Sequence, residues 1–162
     1  MITNYLSPVS FKIAIERLPN VEFYTQRVNI PGISAAGVVQ SSPIHNIYNT
    51  PDRIEYTELD LSFVVDEDME NFREIFEWMQ GLGSPQSSDQ RRDLQQSKYG
   101  ATSDISVLIE NSARNSNIRF SFTDCFPVAL SSIPLDVTQQ DIIPPECNVT
   151  FRYTSMTFEK IS

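Results

Sequence analysis

Residues 56–80, YTELDLSFVVDEDMENFREIFEWMQ, change hydrophobic period once, and that change constrains the fold more than any other stretch. Leu59, Leu61, Phe63 and Val65 alternate with Glu58, Asp60 and Ser62, the two-residue period of a strand with one buried face. After an acidic break, Met69, Phe72, Phe76 and Met79 recur at i, i+3, i+7 and i+10, with Ile75 widening the stripe. That is the period of a helix laid on a core. The pattern predicts a helix over 67–80, capped by Asp66 or Asp68, with Glu67 and Glu70 also suiting the positive end of its dipole. Gly81 and Gly83 mark its end.

The rest of the chain is written in strand period. Residues 9–16 place Val9, Phe11, Ile13 and Ile15 on one face. Leu18-Pro19-Asn20 reads as a turn, so residues 21–30 are expected to return as the second strand of a hairpin, stopped at Ile30-Pro31-Gly32-Ile33. Residues 34–54 are less regular and carry Val38, Val39, Ile44, Ile47 and Tyr48 among prolines. They predict an extended arm or long hairpin outside the main sheet, packed either on its own domain or on a neighbouring subunit. Residues 84–103, SPQSSDQRRDLQQSKYGATS, read as a polar loop whose Arg91-Arg92 doublet is either solvated or paired with an acidic neighbour.

Ile105, Val107 and Ile109 form one further strand face, and Ile118, Phe120 and Phe122 another, across a polar turn at 111–117. Pro127 and Pro134 bracket the next segment, and residues 135–146 form an acidic connection expected to be anchored by Ile142 and Ile143. Residues 147–160 read as a long last strand. Its inward set shifts from Val149, Phe151 and Tyr153 to Met156 and Phe158, which predicts a bulge near Ser155. Many long strands, one helix and no βαβ alternation predict a single mainly-β domain over 1–162. The expected architecture is a β-sandwich or open barrel of two packed antiparallel sheets, with the helix flanking one opening.

The chain offers little for chemistry. The one histidine, His45, lies in the irregular arm with no prepared nucleophile near it. Phosphate-binding glycine motifs and zinc-ligand spacings are missing, so no catalytic residue, metal site or cofactor is expected. Cys125 and Cys147 are expected to be free thiols of a protein made in the cytoplasm. The first residues carry no secretory pattern, and no apolar run approaches the roughly 18–20 residues that span a membrane. The net charge of −9, with 12 basic against 21 acidic residues, argues against gripping a phosphate backbone. It is compatible with DNA sliding past a like-charged wall, or simply with solubility.

Taken in order, the segments resemble the tail-tube proteins of contractile phage tails and related injection machines. The resemblance spans nearly the whole chain. It is carried by the first hairpin and Ile30-Pro31-Gly32-Ile33, the arm, and the strand running into Asp66. The helix with Phe72-Arg73 and Phe76-x-Trp78 follows, then Asp124-Cys125-Phe126-Pro127-Val128, Leu135-Asp136 and Val149-Thr150-Phe151-Arg152-Tyr153. It implies a non-enzymatic structural protein of the virion tail, made in the host cytoplasm. Six copies would form a ring, and rings would stack into an inner tube through which DNA passes unbound. Sheath and baseplate proteins would be its partners. The alternatives are a ring at the baseplate or tail end, initiating or terminating the tube, and a β-sandwich binding module. The resemblance points to Val38, Val39, Ile44, Ile47 and Tyr48 as the subunit contact. It points to Glu16, Glu22, Glu58 and Asp60 as acids facing either the lumen or bulk water, and to loop 84–103 as a contact with the adjacent ring.

Overall fold

The computed structural model describes residues 4–161. In chain order its elements are β1 (Phe11–Ile15), α1 (Pro19–Tyr24), β2 (Thr25–Asn29), β3 (Ile33–Ala35), β4 (Val39–Ser41), β5 (Asn46–Tyr48), β6 (Ile54–Tyr56) and β7 (Leu59–Val64). They continue with α2 (Glu70–Gly83), α3 (Ser88–Gln96), β8 (Ser103–Glu110), β9 (Ser116–Leu130), β10 (Glu146–Arg152) and β11 (Ser155–Lys160).

Seven strands form one antiparallel sheet in the order β1-β8-β9-β10-β7-β2, with β11 also paired to β9. The long strand β9 joins its two halves. Its first part pairs with β8 and β11, its last part with β10, and Asp124 takes a left-handed conformation (φ 54°) between them. Inward side chains of both halves form one core in which Ile15, Leu61, Phe63, Ile105, Val107, Phe122, Val149 and Phe151 are fully buried. The alternation expected of β7 holds: Leu59, Leu61 and Phe63 are sealed in. Pro127 does not end β9; it sits opposite Phe151 in the last part of the strand, which pairs with β10 alone and so loses no second ladder bond.

The expected hairpin of 9–16 with 21–30 is corrected. β1 pairs with β8, and β2 pairs with β7. Between them Pro19 takes the first helical turn, where its missing N–H costs nothing. The segment 19–24 therefore coils into α1 and buries Val21 instead of extending. Val9 lies before β1 and is 82% exposed, so it is not on the inward face.

The helix is displaced as well as confirmed. α2 begins at Glu70, later than the pattern placed it, after Met69 in a left-handed conformation (φ 54°). Asp66 reaches its first turn from outside, accepting a bond from the Asn71 N–H at 3.4 Å. The buried stripe is Asn71, Ile75, Trp78 and Gly81; Phe72 and Met79 are half-buried, and Phe76 is 50% exposed. The stripe rotates because Asn71 and Trp78 can satisfy their polar atoms inside. Asn71 Nδ2 donates to the Val64 carbonyl at 2.8 Å and its Oδ1 accepts from the Phe72 N–H at 2.8 Å. Trp78 Nε1 donates to the Ala101 carbonyl at 2.9 Å, and its ring lies 6.1 Å from that of Phe151. Fully burying Ile75 alone contributes about 1.5–3 kcal/mol.

Loop 84–103 is not a loop throughout. Ser88–Gln96 forms α3, with the Ser87 hydroxyl accepting from the Gln90 N–H and Leu94 packed against Gly81. A Cβ at Gly81 would stand 3.3 Å from Leu94, so the two helices meet closely there. The last strand breaks at Tyr153-Thr154, next to the expected bulge, but Phe158 beyond it is 61% exposed and not inward. The 135–146 connection is not anchored either: Ile142 is 103% and Ile143 67% exposed. Among the described residues, no helix is long and apolar enough to cross a membrane.

Candidate assembly surfaces

The arm is built from two short ladders. β3 pairs with β6 through Ile33–Tyr56 and Ala35–Ile54, and farther out β4 pairs with β5 through Val39–Tyr48 and Gln40–Ile47. Side chains opposite one another in a ladder share a face. Val39 and Tyr48 therefore stand together, while Ile47 points to the other side with Gln40. Ile44 sits 90% exposed between β4 and β5. The contact residues expected from the sequence, Val38, Val39, Ile44, Ile47 and Tyr48, all lie on the arm and are all exposed, but the arm does not present them on one surface. Sequence reasoning missed Ile33, Ile54 and Tyr56, which form the apolar face of the inner ladder. Their signal was the alternation of Ile33 with Ala35 after Gly32 and of Ile54 with Tyr56 after Arg53.

The arm's root is fixed. Thr57 N donates to the Gly32 carbonyl at 3.1 Å, and the Thr57 hydroxyl accepts from the Gly32 N–H at 2.8 Å. Tyr56 and Tyr153 place their rings 5.9 Å apart, and Tyr153 Oη donates to the Thr57 carbonyl at 2.7 Å. Burial raises the Tyr153 phenol above its ordinary value, so it stays a donor at neutral pH.

The outward face of β2, β7 and β10 is polar and internally bonded. Arg152 Nε meets Glu58 Oε1 at 2.8 Å, Thr150 Oγ1 donates to Asp60 Oδ1 at 2.7 Å, and Ser62 Oγ donates to Asn148 Oδ1. Two of the four acids expected on a lumen wall, Glu58 and Asp60, lie here side by side. Glu16 lies just beyond β1, exposed beside a depression that Lys98 and Asp104 also line. Glu22 is on α1 rather than on an outward strand face, and its Oε2 accepts the Ile15 N–H at 2.9 Å. The outward face of β8, β9 and β11 is lined by small hydroxyls instead, with Ser106 opposite Ser121 and Ser121 opposite Thr157.

Helices α2 and α3 and the residues just before α1 line a groove of about 700 Å³, with Arg17, Glu74, Phe76 and Leu94 among its walls. Arg17 holds one wall: its guanidinium lies 4.5 Å from the Trp78 ring centroid and donates to the Gly100 carbonyl. Glu74 Oε1 accepts from Asn20 Nδ2 at 2.7 Å, while Oε2 is buried without a partner. Burial raises this carboxyl above the usual carboxylate range. Cys125 and Cys147 are buried free thiols; burial pushes Cys125 up to about 12 and raises Cys147 too. Neither is a thiolate at neutral pH, as a nucleophile must be. Among the described residues, no three His, Cys, Asp or Glu side chains converge to hold a metal. His45 lies at the arm's tip, in the turn between β4 and β5.

A family model described as phage tail tube protein matches residues 3–159. The fold is shared with a chain of the tube-terminating cap of the anti-feeding prophage, at a TM-score of 0.70 and 14% identity, covering 99% of this chain and 94% of that one. It is shared with a chain of the sheath-tube complex of the extracellular contractile injection system PVC in the extended state. There the TM-score is 0.68 at 15% identity, covering 97% and 93%. A chain of the six-fold symmetrised anti-feeding prophage baseplate follows at 0.63 and 14%, covering 98% and 97%. No curated protein matches by sequence.

Proposed function

We propose, from the premise that this chain belongs to the phage tail tube protein family, that six copies close into a ring and that rings stack into the inner tube of a contractile tail. The protein acts as a structural conduit and not as an enzyme. DNA passes through its lumen without being held. Sheath surrounds the tube, and baseplate and terminator rings meet its ends. It is made in the host cytoplasm and works in the virion tail.

The observation that carries this reading is the arm. Ile33, Val39, Tyr48 and Ile54 are half-exposed or more on a pair of ladders projecting from a body whose own core is complete without them. An apolar surface of that kind marks a site of association, and a head-to-tail contact repeated around an axis closes a ring. The six-fold symmetry of the baseplate that shares the fold supports six copies. The net charge of −9 supports passage of DNA, because a like-charged wall does not retain phosphate. In this reading Glu58 and Asp60, side by side on one polar face, and exposed Glu16 would serve such a wall.

The second reading is a ring at the tail end or baseplate, and it is favoured by the fold's likeness to a tube-terminating cap as well as to a tube complex. Light scattering and negative-stain electron microscopy across a concentration series separate the readings. Tubes that lengthen with concentration support the tube itself. Six-membered rings that never extend support a terminal ring. A monomer at every concentration rejects both.

A further inference from the structure

Apart from the arm, two other groups of exposed apolar side chains stand at the two ends of β9. At the C-terminal end, Leu135, Val137, Ile142 and Ile143 lie open to solvent in the segment between β9 and β10. Its two ends are tied down: Ser131 N donates to the Asn148 carbonyl at 2.8 Å, and Val65 N donates to the Pro145 carbonyl at 3.0 Å. The second bond sets this segment beside the start of α2. The charges gathered there are nearly all acidic: Asp66, Glu67, Asp68, Glu70, Asp136, Asp141 and Glu146, with Arg73 alone opposed and itself paired with Glu77 at 3.4 Å.

At the N-terminal end of β9, Tyr5, Leu6 and Val9 are equally open. Tyr5 and Leu6 line a cleft of about 450 Å³ with Ile109 and Ile118 and with polar Asn4, Glu110, Asn111 and Ser112. The charges around it lean the other way. Lys12 pairs with Glu110 at 2.7 Å and Arg119 with Glu159 at 4.0 Å. Arg114 and Lys160 make no ion pair among the described residues. Residues 116–123 on one side of Asp124 and 125–130 on the other, about 26 Å and about 20 Å of extended strand, hold the two ends apart.

We infer that the 135–143 segment of one copy seats in the cleft between residues 4–9 and 109–118 of the next copy, joining rings axially. Its apolar side chains enter the cleft, and Asp136 and Asp141 face Arg114 and Lys160. The occupant is a second copy because the two surfaces complement each other: exposed Leu135, Val137, Ile142 and Ile143 against exposed Tyr5, Leu6 and Val9, and Asp136 and Asp141 against the unpaired Arg114 and Lys160. Each end is unlike itself, so the contact is head-to-tail and repeats without closing. The arm supplies the lateral contact, and a tube needs both. This inference rests on the stacked-ring reading and assigns the axial contact to β9's ends instead of to α3.

The test uses the full chain as wild type, Ile142→Asp, Asp141→Lys, and the pair Asp141→Lys with Lys160→Glu. All these positions are exposed, so melting temperatures should not move. Ring and tube populations are counted by electron microscopy. The expected result is that Ile142→Asp and Asp141→Lys leave single rings, needing at least tenfold more protein to extend. The charge-swapped pair should regain tubes. Tubes of wild-type length from either single variant overturn the inference while leaving the ring reading intact. So does loss of the rings themselves in either variant, which would make the contact lateral. If wild type forms no rings or stacks, both readings fall together.

Discussion

Strand β7 and the arm that precedes it are both extended, apolar and alternating, yet they end in opposite conditions. In β7, Leu59, Leu61 and Phe63 lose essentially all contact with water, because β2 and β10 flank the strand and α2 and the other half of the sheet cover it. In the arm, Ile33, Val39, Tyr48 and Ile54 pair rung by rung and then face solvent. A hydrophobic period states that a face will be buried. It does not state which chain does the burying. The body is finished by its own residues, and in the proposed ring another copy finishes the arm.

That contrast can be broken from either side. The largest effect belongs to the arm: Tyr48→Asp should abolish ring formation, measured by light scattering, while leaving the thermal midpoint of the monomer within the range of an ordinary surface substitution, about ±0.5 kcal/mol. Ile47→Asp sharpens the test, since Ile47 lies on the opposite face of the same ladder. If only one of the two variants still assembles, its face is free in the ring. Phe151→Ala is the mirror experiment. It should cost about 3–5 kcal/mol in chemical denaturation, because Phe151 is fully buried against Trp78.

Asn71→Ala should cost about 1–3 kcal/mol by the same assay, since it removes a fully buried amide and strips the half-buried Val64 carbonyl of that donor. The smallest effect is at Glu74. Its carboxyl is raised by burial, so the folded state holds the proton more tightly than the unfolded chain. Ionisation therefore opposes folding above the folded value and ceases to matter below the ordinary value near 4.5. Glu74→Gln should raise the melting temperature slightly at pH 7, and the gain should vanish as the pH falls below about 4.5.

The same contrast explains what could be read in the sequence. The strand faces of β7, β8 and the first half of β9 were legible because each alternates in sequence and Leu61, Phe63, Ile105, Val107 and Phe122 on them are buried by their own chain. α1 was not, since Val21 and Phe23 alternate as they would in a strand leading into β2; Pro19 was the available signal, read as a turn although it equally starts a helix. α3 is almost wholly polar, so no hydrophobic period marks it. Only Ser87, three residues before the Gln90 N–H it caps, and the lone Leu94 announce it. The face of α2 was misjudged because counting apolar residues leaves out Asn71, whose amide finds partners inside. For the candidate surfaces, the arm was legible as an apolar segment outside the sheet. Which side chains share a face was not, because that depends on the register of β4 with β5. The 135–143 segment was read as anchored for a related reason: Ile142 and Ile143 look like core residues, but among the described residues nothing covers them.

The most direct test of the account is a cryo-electron microscopy map of the assembled wild-type protein, examined at residues 33–56. The account predicts a six-fold ring in which each arm lies on the adjacent copy, with Val39 and Tyr48 buried against it. A ring in which the arm remains in solvent, or folds back on its own body, would contradict it.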